Sequence, residues 1–589
     1  MTGAPRPLGL ARNLRLGVSW GVRALLDDPV WLTVQAVRRS PARFRRAVTT
    51  VLGAGPPTSA PYAAARYLAG DHLGAAEAAS RLLTRSPGSR VGAEVAVAVG
   101  RADLLQDGHA HGPATLRALW QQGDASAVRT ARVPGRSGRR ARESILGEVE
   151  ALSCRAEVEP RPAPPRPAPG PPPRSARPTT QLTVLHHLTS SLPHTQSGYT
   201  LRTHAVLAAQ RAAGLHVVAT TRAGYPVTIG SLGCRGVDVV DGVAYHRLIP
   251  RSLPADRGRR LAEATELLVR AAEQARPDIL QTTTPWSTGE VARAAARILG
   301  VPWVYEVRGL PEETWAASHT SPAARERAGR SERRTLLRAR ETELATAADA
   351  VVTLSATMRD ELVSRGVRAD RVTVVPNSVA ASMLSGHPAP WAARRSLGLP
   401  AAAFVVGTVS SLVGYEGQET ILRTVAELRH RGTDASALVV GDGVFHARLV
   451  ALADELGLGP HAVFTGRVPH ALAHRYLAAL DVLLVPRRDD RVTRLVTPLK
   501  PVEAMAVGRP VVASDLPALA EALGLPRGGL LVPADDVQAW ADAVESLRAD
   551  PALYRRLVDQ GRTVASGRTW EDASSVYQQV YRRCLGAAA

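Results

Sequence analysis

The 589-residue sequence has little cysteine and no long hydrophobic run. Its three cysteines, Cys154, Cys234 and Cys584, are odd in number and far apart, so they form neither a disulfide framework nor a Cys-x-x-Cys metal site. No apolar run reaches about 18 residues, the length that a membrane-spanning helix needs. The first residues contain Arg and Pro without a following apolar core, so we expect no secretory signal. These shortages indicate a cytoplasmic protein.

Lysine occurs only once, at Lys500, although lysine and arginine together number 73 against 53 acidic residues, a net charge of +20. Most exposed positions accept either cation, but a compact ammonium group cannot always be replaced by a planar guanidinium. The single position that has lysine, in a chain whose other basic residues are arginine, is therefore a candidate functional position.

Proline marks a boundary in the chain. Ten of the nineteen residues from Pro160 to Pro178 are proline, which predicts an extended spacer, with an SH3-type ligand as the less favoured alternative. The hydrophobic content of 45% excludes wholesale disorder, and the length suggests about four units. We predict a basic helical region at 1–152, a Pro-rich linker at 153–180, and Rossmann-like domains at 181–380 and 381–589, with the last helix packing back on the first domain.

The region before the linker is basic and reads as helical. The helical stretches are Leu14–Leu26, Val30–Val37, Ala63–Leu83 and Val91–Leu105. Residues 1–180 contain 26 arginines and 13 acidic residues, and five of the arginines lie between Arg38 and Arg46, near Trp20 and Trp31. Such a segment can bind an anionic membrane, here the inner face of the plasma membrane, but a solvated face of a helical bundle is the favoured explanation. Nucleic acid is not an expected partner, because no recognition motif or stacking aromatic accompanies the arginines.

After the linker, short β-branched runs alternate with longer amphipathic helical stretches, a pattern typical of parallel α/β units. The first series of predicted strands is 182–188, 216–221, 278–283, 302–307, 349–355 and 372–377. The second series is 403–410, 436–443, 462–468, 481–486, 510–514 and 529–533. Each series suffices for one Rossmann-like domain, so the predicted fold class is α/β, with two such domains facing a cleft.

Glycines follow several strands of the second series, at the carboxyl ends where open α/β sheets bind their ligands. The segment 407–417, GTVSSLVGYEG, joins a strand to a helix, and its backbone amides suit a diphosphate. The residues concerned here are Ser411, Gly414, Gly417, Gly441, Gly443, Arg467 and Val468. Each glycine alone is an ordinary turn residue; together they are consistent with a nucleotide lying across the edge of the sheet. In the first series, Gly198 and Tyr199 open a helix in the same way, although plain turn chemistry explains Gly198 as well.

The segment Thr497-Pro498-Leu499-Lys500 begins another predicted helix, with Thr497 as its cap and Pro498 in its first turn. Lys500 and Glu503 are three residues apart and share a helix face. The cation could hold a phosphate and the carboxylate could accept hydrogen bonds from ribose hydroxyls. The alternative is a surface ion pair between the two side chains.

The chain from Leu182 onward resembles a retaining glycosyltransferase of family 4 with the GT-B fold. The residues that carry the resemblance are VYEVRG (304–309), AADAVVTLS (347–355), VVPN (374–377), GTVSSLVGYEG (407–417), VGDG (440–443), FTGRV (464–468), VTPLKPVEAMAVGRPVVAS (496–514) and GGLLVP (528–533). The VTPLK motif places it in one branch of that family. The resemblance implies a UDP- or GDP-linked sugar bound by the second domain and a glycan or lipid-linked acceptor bound by the first, on the side of Gly198, Tyr199, Thr283 and Thr284.

The resemblance also implies that no cofactor or metal is needed, and the sequence has no Asp-x-Asp pair of the kind that holds Mg²⁺ or Mn²⁺ in metal-dependent sugar transferases. Lys500 and Arg308 would then stabilise the departing nucleoside diphosphate, with Glu503 as a further catalytic candidate. For Arg308 the alternative is an ion pair with Glu306, Glu312 or Glu313. Glu341 is a weaker candidate, expected to be solvated.

Some positions depart from the family pattern. Leu495 replaces the first of two glutamates, Ser411 and Glu416 replace an arginine and a lysine of the phosphate loop, and residues 281–285 lack a frequent histidine. Phosphate neutralisation would then fall to Lys500 and to the cluster Arg487, Arg488, Arg491 and Arg494. The predicted function is a transferase of cell-surface polysaccharide synthesis, with an inactive GT-B scaffold and a GT-B sugar-nucleotide epimerase as alternatives.

Overall fold

The computed structural model describes residues 7–27, 32–33, 37, 40, 42–105, 112–153, 181–319, 321–400, 404–524 and 527–586. Within them, a helical region precedes two α/β lobes, as the alternation of patterns predicts. The predicted linker, apart from its first residue, and most of the predicted helix Val30–Val37 lie outside the described residues.

The first region is helical throughout its described parts. Its helices are α1 (Pro7–Asp27), α2 (Ala42–Gly53), α3 (Ala60–Leu68), α4 (His72–Arg85), α5 (Arg90–Ala98), α6 (Pro113–Gln122), α7 (Ala125–Thr130) and α8 (Gly135–Ser153). Small side chains such as Ala75 and Ala79 are fully buried between α3, α4 and α5, which lets these short helices pack closely. No helix among the residues with assigned structure is long and apolar enough to cross a bilayer.

The first lobe is built on an eight-stranded sheet in the order β3-β4-β2-β1-β5-β6-β7-β8. Its strands are β1 (Thr183–Leu188), β2 (His216–Thr221), β3 (Val237–Val240), β4 (Val243–Arg247), β5 (Ile279–Thr283), β6 (Trp303–Val307), β7 (Ala350–Thr353) and β8 (Val372–Val374). Its helices are α9 (Gly198–Ala212), α10 (Arg257–Ala275), α11 (Trp286–Leu299), α12 (Pro311–Ala317), α13 (Pro322–Gly329), α14 (Glu332–Ala347) and α15 (Ala356–Ser364). All neighbouring strands are parallel except β3 and β4, an edge hairpin that the strand patterns did not reveal.

The second lobe has a six-stranded parallel sheet in the order β11-β10-β9-β12-β13-β14. Its strands are β9 (Phe404–Val409), β10 (Ala435–Val440), β11 (Ala462–Gly466), β12 (Val482–Val485), β13 (Val511–Ser514) and β14 (Gly529–Val532). Its helices are α16 (Pro390–Ser396), α17 (Glu419–His430), α18 (His446–Glu455), α19 (His470–Ala479), α20 (Arg491–Leu495), α21 (Lys500–Ala506), α22 (Pro517–Leu523), α23 (Val537–Ala549) and α24 (Pro551–Ser566). The central strands are wholly buried, as expected of a parallel sheet covered by helices on both faces.

The last helix, α25 (Trp570–Gly586), crosses back to the first lobe and packs against α9. The buried hydroxyl of Tyr577 in α25 donates to Glu306 Oε1 at 2.8 Å. Gln210 Nε2 of α9 donates to the hydroxyl of Tyr581, also in α25, at 2.8 Å. The chain therefore ties the two lobes together at a point behind the cleft.

The helical region is fastened to the first lobe by an arginine between two indoles. The guanidinium of Arg333 at the start of α14 lies 4.7 Å from the ring centre of Trp120 and 5.0 Å from that of Trp315. It also donates to the Trp120 carbonyl at 3.1 Å. A cation over an aromatic face is attractive, and more so when water is excluded, so this contact fixes the position of α6 against the lobe.

Candidate functional site

The carboxyl ends of the strands of both sheets meet across a cleft between the lobes. Gln196 Nε2, in the loop after β1, donates to the carbonyl of Val468 after β11 at 3.4 Å. Asn377 Nδ2, after β8, donates to the Thr497 carbonyl at 3.1 Å. Loops at strand carboxyl ends are where open α/β sheets bind ligands, so the cleft is the candidate site.

On the second-lobe side, two loops that follow neighbouring strands touch through their backbones. A Cβ on Gly441 would lie 1.8 Å from the Ser410 carbonyl oxygen, and one on Gly443 would lie 2.2 Å from that of Leu412. Only glycine fits at both positions, and Gly441 also has a φ of +142°, in a region that L-residues rarely adopt. These predicted donor-binding glycines therefore shape the loop after β9 by close packing.

The loop after β9 carries the predicted donor residues Ser411, Gly414 and Gly417. A buried side chain that sequence reasoning missed, Gln418, holds it by donating to the Ser411 carbonyl at 2.9 Å. Ser411 is exposed, and Gly414 begins the short turn Gly414–Glu416. The loop thus presents backbone to the cleft in a fixed shape.

Carboxylates pair with each arginine of the predicted phosphate cluster. Arg487 donates to Glu416 at 2.6 Å, and Arg491 of the second lobe reaches Glu361 of the first at 2.7 Å. Arg488 pairs with Glu419, and Arg494 pairs with Asp489. Arg467, at the end of β11, is exposed and has no carboxylate partner within the described residues. A bound anion at this wall would therefore compete with protein carboxylates for most of the cations.

Lys500 is the first residue of α21, at the junction of the lobes. Its Nζ lies 2.7 Å from Glu503 Oε2, with about a fifth of the lysine side chain exposed. His470 of the second lobe feels the charges of Lys500 and Glu503 and also that of His204 in the first lobe, and burial lowers the pKa of His470. The ion pair that the sequence left as an alternative is therefore present, and it lies beside residues of both lobes.

The expected cap of this helix is wrong. The helix begins at Lys500 after Leu499, and no described side chain caps it, because Thr497 and Pro498 lie two residues before the positions that were predicted for them. Thr497 instead offers its carbonyl to the first lobe, and its buried hydroxyl has no partner. Leu499 packs against the apolar clusters of both lobes. The segment from Thr497 to Leu499 therefore belongs to the lobe junction.

Arg308 is buried, 4% exposed, in a network beneath the cleft. Its guanidinium donates to Glu306 at 2.8 Å and to the Tyr199 carbonyl at 3.1 Å. Burial alone would disfavour a charged Glu306, but Arg308 and Arg202 outweigh it and lower its pKa to about 2. The structure thus places Arg308 in one of the ion pairs left open as an alternative, where it holds the first turn of α9.

Tyr199 stands on that turn and faces the second lobe. Half of its side chain is exposed, while its hydroxyl lies so close to Gly309 that a Cβ there would be 2.3 Å away. Loss of water around the hydroxyl, aided by nearby Tyr415, raises the pKa of Tyr199 to about 12 against the effect of Arg308. The phenol is therefore neutral and can donate a hydrogen bond into the cleft.

The other predicted acceptor-side residues lie at the same edge. Gly198 begins α9, and a Cβ on it would meet nothing within 4 Å. Thr283 ends β5, Thr284 follows it, and each is 6% exposed. The Thr284 hydroxyl accepts from the Arg308 amide at 3.4 Å, so these threonines support the wall more than they line it.

The expectation that Glu341 is solvated is wrong. It is 5% exposed on α14, where it accepts from the Trp286 amide at 2.6 Å and the Tyr305 hydroxyl at 2.5 Å. Burial raises the pKa of Glu341 to about 8. Sequence periodicity did not signal this, because the burying surface comes from α11 and β6.

Tyr415, His204 and His470 are cleft residues that sequence reasoning missed. Each is a single polar or aromatic residue in a helix or loop. Only the meeting of the two lobes brings Tyr415 near Tyr199 and His470 near His204. Among the residues described, no group of three or more His, Cys, Asp or Glu side chains is arranged to hold a metal ion.

Two family models match the two lobes. Residues 197–378 match the "Glycosyl transferase 4-like domain" and residues 403–550 match "Glycosyl transferases group 1". Together these ranges cover more than half of the chain and leave the helical region unmatched.

Curated relatives align with parts of the same region. The "D-inositol 3-phosphate glycosyltransferase" of Corynebacterium urealyticum is 33% identical over 198 residues, which are 32% of this chain and 45% of the relative. The "D-inositol 3-phosphate glycosyltransferase 1" of Catenulispora acidiphila is 28% identical over 372 residues, 59% of this chain and 83% of the relative. The chain thus spans less than half of the first relative and most of the second.

A solved structure shares the two-lobed architecture. Sucrose-phosphate synthase from Thermosynechococcus elongatus superposes with a TM-score of 0.57 at 24% identity, over 69% of this chain and all of that chain. This likeness shows the fold, which is GT-B.

Proposed function

Because the chain belongs to the family 4 glycosyltransferases with the GT-B fold, we propose that it transfers a sugar from a nucleotide-diphosphate sugar to a hydroxyl acceptor. The donor is UDP- or GDP-linked and binds to the second lobe, and the acceptor binds to the first. Transfer proceeds with retention of anomeric configuration and without a metal ion.

One observation carries this proposal: the glycine-shaped loop after β9 and the half-buried Lys500 lie on one side of the cleft, opposite Tyr199 on the other. Tyr199 is close enough to Tyr415 and Arg487 for their charges to act on its pKa. A diphosphate on the second-lobe loop would therefore place its sugar next to the first lobe.

The cations of the second lobe would act on the leaving group. Negative charge develops on the nucleoside diphosphate as the glycosidic bond breaks, and preorganised donors stabilise it best where water is excluded. Lys500 and the amides near Ser411 and Gly414 would supply those donors. Arg487 would add a second cation if the phosphate displaced Glu416 from it.

The first lobe would orient the acceptor. Arg308 holds the turn that carries Tyr199, and the neutral phenol can hydrogen-bond a sugar or acceptor hydroxyl. The named acceptor of both relatives is an inositol phosphate, so a polyol or its phosphorylated form is one acceptor class to test. A lipid-linked glycan precursor of a cell-surface polysaccharide is the other.

A second candidate, a GT-B scaffold that binds nucleotide without turnover, has one observation in its favour. A carboxylate pairs with each cation of the predicted phosphate cluster, which comprises Arg487, Arg488, Arg491 and Arg494. Lys500 likewise pairs with Glu503. If ligand binding does not break these pairs, the leaving phosphate gains little stabilisation from them.

The test is to incubate the purified protein with UDP- and GDP-sugars, with inositol phosphate or a lipid-linked glycan as acceptor, and to measure nucleotide release and product anomer. Acceptor-dependent release with a retained anomer supports the proposal. Nucleotide binding without release under any acceptor supports the scaffold instead. An epimeric sugar nucleotide formed without acceptor supports a sugar-nucleotide epimerase and overturns the transferase.

A further inference from the structure

One face of α1 exposes a row of apolar side chains to solvent. The residues are spaced four, four, four and three apart, and their exposures are Leu10 38%, Leu14 44%, Val18 64%, Val22 51% and Leu25 51%. Residues at this spacing lie along one side of a helix. A contiguous apolar strip of this kind is unfavourable in water and marks a docking surface.

The opposite face of α1 is already used for packing on the first lobe. Leu16 is fully buried with Val227, Cys234 and Ile249. The buried amide of Asn13 donates to the carbonyls of Leu232 and Cys234 at 2.9 and 2.8 Å. The helix is therefore held in place by its inner face, and the apolar row points outward because of that packing.

Arginine borders the apolar row. Arg15 is exposed on α1 and has no carboxylate partner within the described part of the chain, whereas Arg12 lies beside Gly236 of the first lobe and Arg23 donates to the Leu253 carbonyl. The first 60 residues contain nine arginines and only two acidic residues. An outward apolar strip with arginine along one side is the pattern of a helix that lies in the interface of an anionic bilayer.

We propose that α1 docks the protein on an anionic lipid surface, with the row Leu10, Leu14, Val18, Val22 and Leu25 in the headgroup region. Charge decides between a membrane and a second copy of this chain, since pairing two such faces would bring arginine against arginine. Phosphate headgroups satisfy those charges instead.

The position of α1 has a consequence for the acceptor. The residues that it packs on, from Val227 to Cys234, follow β2 at the same edge of the sheet as the cleft loops. Tyr225 in this loop donates to the Ser191 carbonyl after β1 at 2.8 Å, which links α1 to the acceptor side. Docking would therefore bring the acceptor side of the cleft near the bilayer and favour a lipid-linked acceptor, a consequence that rests on the proposed function.

The test uses the full chain with vesicles of phosphatidylcholine alone and of phosphatidylcholine with phosphatidylglycerol, measured by co-sedimentation. We expect binding only to the anionic vesicles, weakened by salt. The double variant Leu14→Gln with Val18→Gln should bind about tenfold or more weakly, because it removes apolar surface from the row. The matched control, Val239→Gln with Ile298→Gln, changes exposed apolar residues elsewhere on the first lobe and should bind like the parent.

Several outcomes would overturn the proposal. Equal binding of the Leu14/Val18 variant and the parent would do so, as would no parental binding to anionic vesicles. A parent that is dimeric in light scattering, with a monomeric double variant and no vesicle binding, would assign the face to a second copy. If the parent is monomeric and binds no vesicles, the lipid proposal is rejected, and the apolar row would be a contact surface for residues 28–41 or for a protein partner.

Nucleotide affinity, measured by calorimetry on the same samples, separates this proposal from the proposed function. Vesicle binding without any sugar transfer would retain the docking surface and reject the transferase. If both stand, the double variant should raise KM for a lipid-linked acceptor in vesicles and leave KM unchanged for the same acceptor in detergent.

Discussion

The carboxylate of Glu416 in the loop after β9 accepts a hydrogen bond from Arg487 Nη2 at 2.6 Å. Arg487 is 7% exposed and also donates to the Val496 carbonyl at 2.7 Å. A cation is thus present near the loop but comes from the chain after β12, and it is neutralised by a carboxylate of the loop itself.

Removing the carboxylate should release this cation for a diphosphate. We expect Glu416→Gln to tighten UDP or GDP binding several-fold, because one negative charge leaves the site and a charge-assisted bond of Arg487 becomes free. Calorimetric Kd values at low and high salt test this, with Glu427→Gln in the remote Glu427–Arg431 pair as the control. A Kd that does not change would mean that Arg487 serves only to hold the chain after β12.

Lys500 is the residue whose loss should cost most in catalysis. Lys500→Ala should lower kcat/KM by about 10²-fold or more if the ammonium stabilises the leaving phosphate. The control Arg368→Ala breaks the exposed Arg368–Asp370 pair and should change neither kcat/KM nor Tm noticeably. A Lys500→Ala enzyme with parental kcat/KM would reduce the Lys500–Glu503 contact to a structural ion pair.

The two sheets could be predicted because buried parallel strands are short continuous runs rich in β-branched residues, such as those of β7 and β13. The β3–β4 hairpin could not, because Val237–Val240 lies at the edge of the sheet with half of its residues exposed and has no apolar run. Local pattern therefore found the strands that contain a continuous apolar run, including the edge strand β11, and missed the strand that has none.

The charge pairs of the site lay beyond sequence reasoning for a different reason. Arg487 meets Glu416 across 71 residues, and Arg491 meets Glu361 across 130. Side-chain spacing reveals partners only within a helix, as with Lys500 and Glu503. Only the tertiary fold decides which arginines are neutralised, so the sequence suggested a phosphate cluster where the structure has ion pairs.

The contact between Tyr199 and Gly309 makes a test of the acceptor side. Gly309→Ala would place a methyl group 2.3 Å from the Tyr199 hydroxyl and should displace the phenol. We expect KM for the acceptor to rise and kcat to fall, with nucleotide affinity unchanged. Gly329→Ala, where a Cβ would meet nothing within 4 Å, is the control.

The double variant Gly309→Ala with Tyr199→Phe distinguishes a clash from a loss of chemistry. Removing the hydroxyl relieves the clash, so protein stability should recover. Activity should recover only in part, because the hydrogen bond of the phenol is absent. Full recovery of activity would show that Tyr199 acts by shape alone.

Glu341 should make stability depend on pH in a direction unusual for a carboxylate. In the unfolded chain this group ionises near 4.5, whereas burial raises its pKa to about 8 in the fold. Between these values the folded protein binds the proton and the unfolded chain does not, so the free energy of unfolding falls as pH rises and levels off above about 8.

Glu341→Gln has a side chain of nearly the same shape that cannot ionise, so the variant should lose this decline. The margin, which is the Tm of the variant minus that of the parent, should therefore grow from pH 5 to pH 8. Glu273→Gln, at an exposed position, should follow the parent at every pH. A margin that stays constant with pH would show that Glu341 is ionised in the fold, held by the Trp286 amide and the Tyr305 hydroxyl despite its burial.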